Sequence, residues 1–158
     1  MDAKSSQADR EILSILSDMG CSVRSEGHTV TLTGPSRLKA VDIDMSGIPD
    51  LLPALAVTAW LSNVTHAVAK GAKERSSTIA NDINAIGGKA QVLSDSLVIY
   101  PVNSFDGAST VVSYGDPRIV MAMALASLRC SRGLTIENCG CLEELFPDFF
   151  DRFSHVTS

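Results

Sequence analysis

Apolar positions in this chain fall into short blocks whose period switches between that of a helix and that of a strand. Over 8–19, Ile12, Leu13, Ile15, Leu16 and Met19 recur near helical spacing, and Gly20 follows where a left-handed residue can close the helix. Val23 and the run 30–32 mark two short strands around a tight polar turn. A strand is predicted at 41–44. The helix predicted over 51–61 has apolar residues on every side, as expected for a helix enclosed by other elements. A strand near 65–69, a helix from about 77 to 86 and a hairpin of 90–93 with 97–100 come next. The remaining pattern predicts a strand at 110–113, a helix over 117–128, a strand at 134–137 and a helix near 147–153.

The pattern repeats. Met19-Gly20-Cys21-Ser22-Val23 through Leu32 corresponds to Ile86-Gly87-Gly88-Lys89-Ala90 through Ile99 at an offset of 67, each copy a helix ending at glycine and then a hairpin. Asp50 with its apolar helix corresponds to Asp116 with 117–127 at an offset of 66. A βαβαββ unit therefore spans about 40–102, with partial units over about 7–34 and 108–158, the last without its closing hairpin. Units that cannot bury their faces alone stack on one another, which predicts a single α/β (α+β) domain over 1–158 with internal pseudo-symmetry, incomplete at its ends.

Composition narrows the function. A hydrophobic content of 45% in 158 residues supports one well-buried core. A net charge of -5 gives no general attraction to phosphate backbones or anionic lipid, so no nucleic acid and no membrane is expected as a partner. No apolar run reaches the roughly 20 residues that span a bilayer, and the start of the chain has no apolar signal core, which predicts a cytoplasmic protein. Cys21, Cys130, Cys139 and Cys141 are too few and too irregular for a disulfide framework. Cys139-Gly140-Cys141 has no accompanying histidine at ligand spacing, so no metal is expected. Gly87-Gly88 ends a helix instead of starting one, so no nucleotide loop is present.

Four ordered motifs carry a resemblance that covers almost the whole chain: Ile48-Pro49-Asp50 before an apolar helix, Lys73-Glu74, Tyr114-Gly115-Asp116-Pro117-Arg118-Ile119, and Phe146-Pro147-Asp148-Phe149-Phe150. Together they resemble the C-terminal motifs of EPSP synthases, enolpyruvyl transferases whose two domains close around shikimate 3-phosphate and phosphoenolpyruvate. The resemblance implies an inverse α/β prism of βαβαββ units and no cofactor. It also implies transfer of a carboxyvinyl group to the shikimate 5-hydroxyl through a tetrahedral intermediate, with loss of phosphate. The chain then corresponds to most of one domain, with the other half of the cleft on a missing N-terminal part, and is expected to be inactive alone.

The chemistry asks for a base, an acid and cations facing two anions. By resemblance Asp50 contacts the shikimate hydroxyl and is the candidate base, Lys73 contacts substrate, Glu74 is the candidate general acid and Arg118 binds phosphoenolpyruvate. Each has a plainer reading: a helix N-cap for Asp50, a solvated charged turn for Lys73-Glu74-Arg75 and a surface arginine for Arg118. Three positions depart from the family pattern. Ser77 stands where an arginine grips the phosphoenolpyruvate carboxylate, Pro117 where a histidine precedes the helix arginine, and Glu144 where a lysine faces phosphate. An alternative therefore stays open, a fold of this type that has lost catalysis and serves as a binding or structural domain. The related UDP-N-acetylglucosamine enolpyruvyl transferases share the fold, but the Phe146-Pro147-Asp148 context fits EPSP synthases better.

Overall fold

A computed structural model describes residues 10–62, 67–70, 73–94 and 96–157, with only the backbone for 67–70 and 73–74. The predicted helix positions 8 and 9 and strand positions 65 and 66 lie outside these residues. Helix α1 (Glu11–Asp18) leads into the antiparallel hairpin β1 (Ser22–Glu26) and β2 (Thr29–Thr33). After β3 (Asp42–Asp44), a 3-10 turn (Pro49–Leu51) opens α2 (Leu52–Leu61), and β4 (Ala67–Lys70), α3 (Lys73–Ala85), β5 (Lys89–Val92) and β6 (Ser96–Tyr100) follow. Strand β7 (Thr110–Val112), α4 (Pro117–Ser127), β8 (Thr135–Glu137), α5 (Gly140–Leu145) and α6 (Phe149–Thr157) complete the order.

Among the described residues, four strands form a sheet in the order β3-β4-β6-β5, with β3 and β4 parallel and the β5–β6 hairpin added antiparallel along β4. Strands β7 and β8 form a parallel pair of their own. The enclosed helix is α2: Leu52, Leu55, Ala56, Val57, Ala59 and Trp60 are all buried, and it packs against α4 and α3. Helix α4 buries Ile119, Val120, Ala122, Met123, Ala124 and Ala126 while leaving Leu125 exposed. Trp60 is fully covered and meets Phe105 edge to face at 4.8 Å.

The glycine closures work as the sequence implies. Gly20 and Gly87 have φ of 101° and 90°, and in each copy the next residue returns a bond to the helix, Cys21 N–H to Leu16 O and Gly88 N–H to Ile83 O. Asn84 then fixes the second hairpin to its helix, donating to the Ala90 carbonyl at 3.0 Å and accepting the Ala90 N–H at 2.7 Å.

Two expectations are corrected. Helix α3 starts at Lys73, several residues before the predicted 77, so Lys73 and Glu74 open a helix instead of lying on a connection. The segment before Pro147 carries a separate helix, α5, because Cys139-Gly140-Cys141 begins a turn that Pro147 then interrupts. Cys139 and Cys141 donate their thiols to the Ile136 and Asn138 carbonyls, and burial raises the Cys139 pKa, with the neighbouring Cys141 adding to it. Among the described residues no helix is long and apolar enough to cross a membrane.

Asp82, on α3, is 4% exposed and joins the helix to the next strand pair by accepting the Val112 N–H at 3.3 Å, while its Oδ2 has no partner among the described residues. Burial raises its pKa from 3.8 to about 6 despite that bond. A folded-state pKa above the unfolded one means that the contribution of this group is fully present below about pH 4 and is lost as pH rises through 6. At about 1.4 kcal/mol per unit, the loss is at most about 3 kcal/mol. Asp82→Asn is expected to be the more stable protein at pH 7.5 and to show a flatter stability profile between pH 4.5 and 7.5. Urea titrations at the two pH values measure it, and equal slopes for both proteins would remove Asp82 as the source.

Candidate active site

The order of two residues decides what each repeated aspartate does. In Asp116-Pro117 the proline takes the first helical position and leaves Asp116 as N-cap, where its carboxylate accepts the Arg118 N–H at 2.9 Å. In Pro49-Asp50 the proline again comes first in the turn, so Asp50 falls inside it and Ile48 becomes the residue before it. Asp50 therefore caps no helix, contrary to the plainer sequence reading, and its carboxylate reaches across to other elements.

It reaches two arginines. Oδ1 accepts from Arg75 Nη1, in the first turn of α3, and Oδ2 accepts from Arg118 Nη2 at 2.7 Å, in the first turn of α4. Arg118 also lies 3.6 Å from Asp116 through Nη1. The first turns of three helical segments thus meet at one cluster, and free N–H groups at such ends favour anions. The Arg75 bond, with the charges of Arg118 and Arg75 added, holds the Asp50 carboxyl below the usual carboxylate range against the opposing effect of burial. Each of the three side chains is 36–41% exposed. Ion pairs in contact with water contribute at most about 1 kcal/mol, so stability is a weak reason for this cluster to exist.

Among the described side chains the cluster contains two guanidiniums and two carboxylates, and Asp50 takes donors of both guanidiniums that a ligand anion would otherwise take. Two forked guanidiniums on different helices suit a planar carboxylate or a phosphate, whose oxygens replace those of Asp50 one for one.

Of the residues predicted from sequence, Asp50 and Arg118 are in direct contact, and Lys73 and Glu74 begin the helix whose third residue is Arg75. Ser77 is exposed on that same helix, Pro117 is the first residue of α4, and Glu144 is exposed on α5. Arg75, which the sequence offers both as part of a charged turn and, in a different loop register, as partial compensation for the missing cations, is the residue of that run that meets Asp50. The signal that could have found it is Lys73-Glu74-Arg75 as a helix start, which places the third residue beside the neighbouring helix ends.

The profile of the EPSP synthase (3-phosphoshikimate 1-carboxyvinyltransferase) family matches residues 1–153. Curated relatives named 3-phosphoshikimate 1-carboxyvinyltransferase include one from Clostridium kluyveri, 34% identical over 97% of this chain and 37% of its own length. Another, from Ruminiclostridium cellulolyticum, is 35% identical over 96% of this chain and 36% of its own length. The chain therefore spans little more than a third of the relatives it matches. An EPSP synthase structure from Acinetobacter baumannii superposes with a TM-score of 0.73 at 23% identity, covering 91% of this chain and 37% of that one. The enolpyruvyl transferase NikO from Streptomyces tendae gives 0.72 at 21% identity, covering 90% and 34%. These two likenesses speak for the fold, and the profile match over residues 1–153 places the chain in the EPSP synthase family.

Proposed function

We propose that this chain forms one wall of an active site that transfers the carboxyvinyl group of phosphoenolpyruvate to shikimate 3-phosphate. The observation that supports this most is the meeting of Asp50, Arg75 and Arg118 at three helix starts. In this reading Arg75 and Arg118 turn from Asp50 to the carboxylate or phosphate of phosphoenolpyruvate. Asp50, no longer held below the usual range, then takes the proton of the 5-hydroxyl as that oxygen bonds to the central carbon of the enol. Glu74 gives a proton to the methylene carbon, and Lys73 holds charge on the substrate. The tetrahedral intermediate loses phosphate as the C–O bond breaks, and the methyl group formed by that protonation returns a proton to the Glu74 carboxylate, which restores the double bond.

The other wall of the cleft belongs, in this reading, to an N-terminal domain carrying phosphate-binding lysine-serine and serine-glycine-asparagine motifs. Positioning two reactants supplies a large part of such a rate, so the 158-residue chain alone is expected to release no phosphate from the two substrates. The test joins the chain to the N-terminal domain of a relative and follows phosphate release. Turnover in the joined protein and in neither part supports the reading, whereas turnover by the chain alone would overturn its division of labour.

A second reading, a domain that binds without catalysing, has specific support in Ser77 and Glu144, a hydroxyl and an anion where the family chemistry uses cations. A joined protein that binds both substrates and releases no phosphate favours it.

A further inference from the structure

Among the described residues Asp82 is the one buried side chain that can carry a charge, and the fold does not require it. At the offset of 67 its counterpart is Ile15 on α1, also buried, which lines a groove with Val41, Ile43 and Ile48 in and around β3. Strands β3 and β7 each open a parallel pair. The same place between helix and strand is thus filled once by a hydrocarbon and once by a carboxylate whose Oδ2 has no partner among the described residues. A carboxylate held there lowers stability at neutral pH, so packing gives no reason for it. The two helices differ in their first turn. Seven residues before Asp82 stands Arg75, whereas seven residues before Ile15 stands Ala8.

The bonds along α3 connect the two positions. The chain over 107–112 runs beside α3 in the opposite direction and is tied to it in three steps: Gly107 N–H to Ile86 O, Ser109 Oγ to Ala85 O at 2.7 Å, and Val112 N–H to Asp82 Oδ1 at 3.3 Å. Ser113, the next residue, turns its N–H the other way, to Glu137 O on β8, so Val112 presents its own on the edge that faces α3. Of the three ties, the one at Asp82 lies nearest the arginines. Beyond it the chain turns at Tyr114 and Gly115, with φ of 54° and 76°, and enters α4 with Arg118. On the helix, a spacing of seven residues puts Arg75 and Asp82 on one face, about 10 Å apart along the axis. Both guanidiniums then meet at Asp50.

We propose that Asp82 is a positioning residue, which holds α3 against β7 through the Val112 N–H and so keeps the Arg75 guanidinium beside that of Arg118. The consequence for a ligand rests on the reading in which these two arginines receive phosphoenolpyruvate. A shift of about 1 Å between two forked guanidiniums spoils a shared contact to one small anion. The acceptor oxygen is what this role needs. Asparagine keeps a neutral one in the same place, whereas leucine fills a similar volume and offers none.

Two measurements separate the tie from the ligand. In the 158-residue chain, carbon-13 NMR follows the Asp50 carboxyl, which the arginines hold below its usual range. Asp82→Asn is expected to leave that titration in place, and Asp82→Leu and Asp82→Ala to move it up toward 3.8 as Arg75 draws away. In the chain joined to the N-terminal domain of a relative, the Kd for phosphoenolpyruvate in the presence of shikimate 3-phosphate should rise about tenfold in Asp82→Leu. It should stay unchanged in Asp82→Asn, although both variants remove the charge. The proposal is overturned by an Asp50 titration that Asp82→Leu and Asp82→Ala leave unmoved, or that Asp82→Asn moves as far. Binding that follows the urea midpoints of the variants instead of the presence of an acceptor also overturns it. A moved Asp50 titration with unaltered phosphoenolpyruvate binding supports the tie and removes Arg75 from the ligand instead.

Discussion

Gly107→Ala is expected to destabilise the chain by roughly 4 kcal/mol, lowering the midpoint of thermal unfolding by about 10 °C. Two independent effects add. Gly107 has φ of 68°, and a methyl group there would lie 2.3 Å from the Gly133 carbonyl oxygen and 2.6 Å from Cys130 Cβ. The carbonyl cannot retreat easily, because it accepts the Ala108 N–H at 2.6 Å. The same connection is tied down on both sides: Gly107 N–H reaches Ile86 O, Ser109 Oγ donates to Ala85 O, and Ser131 N–H reaches Phe105 O. The segment that joins the four-stranded sheet to β7 is thus fastened to the end of α3 and to the turn before β8. Gly115 supplies the control. Its φ is 76°, but a methyl group there meets nothing within 4 Å, so Gly115→Ala should lose only the conformational part, about 1 kcal/mol. Circular-dichroism melts of the two variants separate strain from overlap, and equal losses would remove the overlap from the account.

Such a contact was not legible in the sequence, where Gly107 is one small residue in a polar connection. What was legible came from periodicity and repetition. The all-round apolar helix around Trp60, the glycine closures at Gly20 and Gly87, and both hairpins follow from local rules that the tertiary structure does not override. The start of α3 is not legible because Lys73-Glu74-Arg75-Ser76-Ser77 has no apolar period, the signal that marks a helix in the sequence. Helix α5 was lost for a similar reason, since glycine at its first position reads as a break. The site was half legible. Motif order identified Asp50 and Arg118, but counting along a motif does not give direction. Arg75 and Ser77 are two residues apart and so point about 200° apart around a helix, and Arg75 is the one that turns to Asp50.

That direction carries the remaining prediction, that Arg75 supplies the guanidinium that position 77 lacks. In the chain joined to the N-terminal domain of a relative, Arg75→Ala and Arg118→Ala should each weaken phosphoenolpyruvate binding in the presence of shikimate 3-phosphate, while Ser77→Ala leaves it unchanged. A lost charge-assisted contact to an anion is worth about 1.5–3 kcal/mol, roughly a ten- to 150-fold rise in Kd. Asp50→Asn separates binding from chemistry. The neutral amide no longer competes with the ligand for two arginines, so phosphoenolpyruvate should bind at least as tightly as before, yet turnover should collapse because the amide cannot take the hydroxyl proton. Ser77→Arg with Glu144→Lys adds positive charge to the domain and should tighten binding further, by less than the Arg75 loss weakens it, because Arg75 and Arg118 already present the fork. Titration calorimetry gives the affinities and phosphate release gives the turnover. Unchanged binding in Arg75→Ala would return Arg75 to the role of a surface charge paired with Asp50, and a loss of binding in Asp50→Asn equal to that in Arg118→Ala would show that Asp50 holds the arginines in place for the ligand instead of standing in for it.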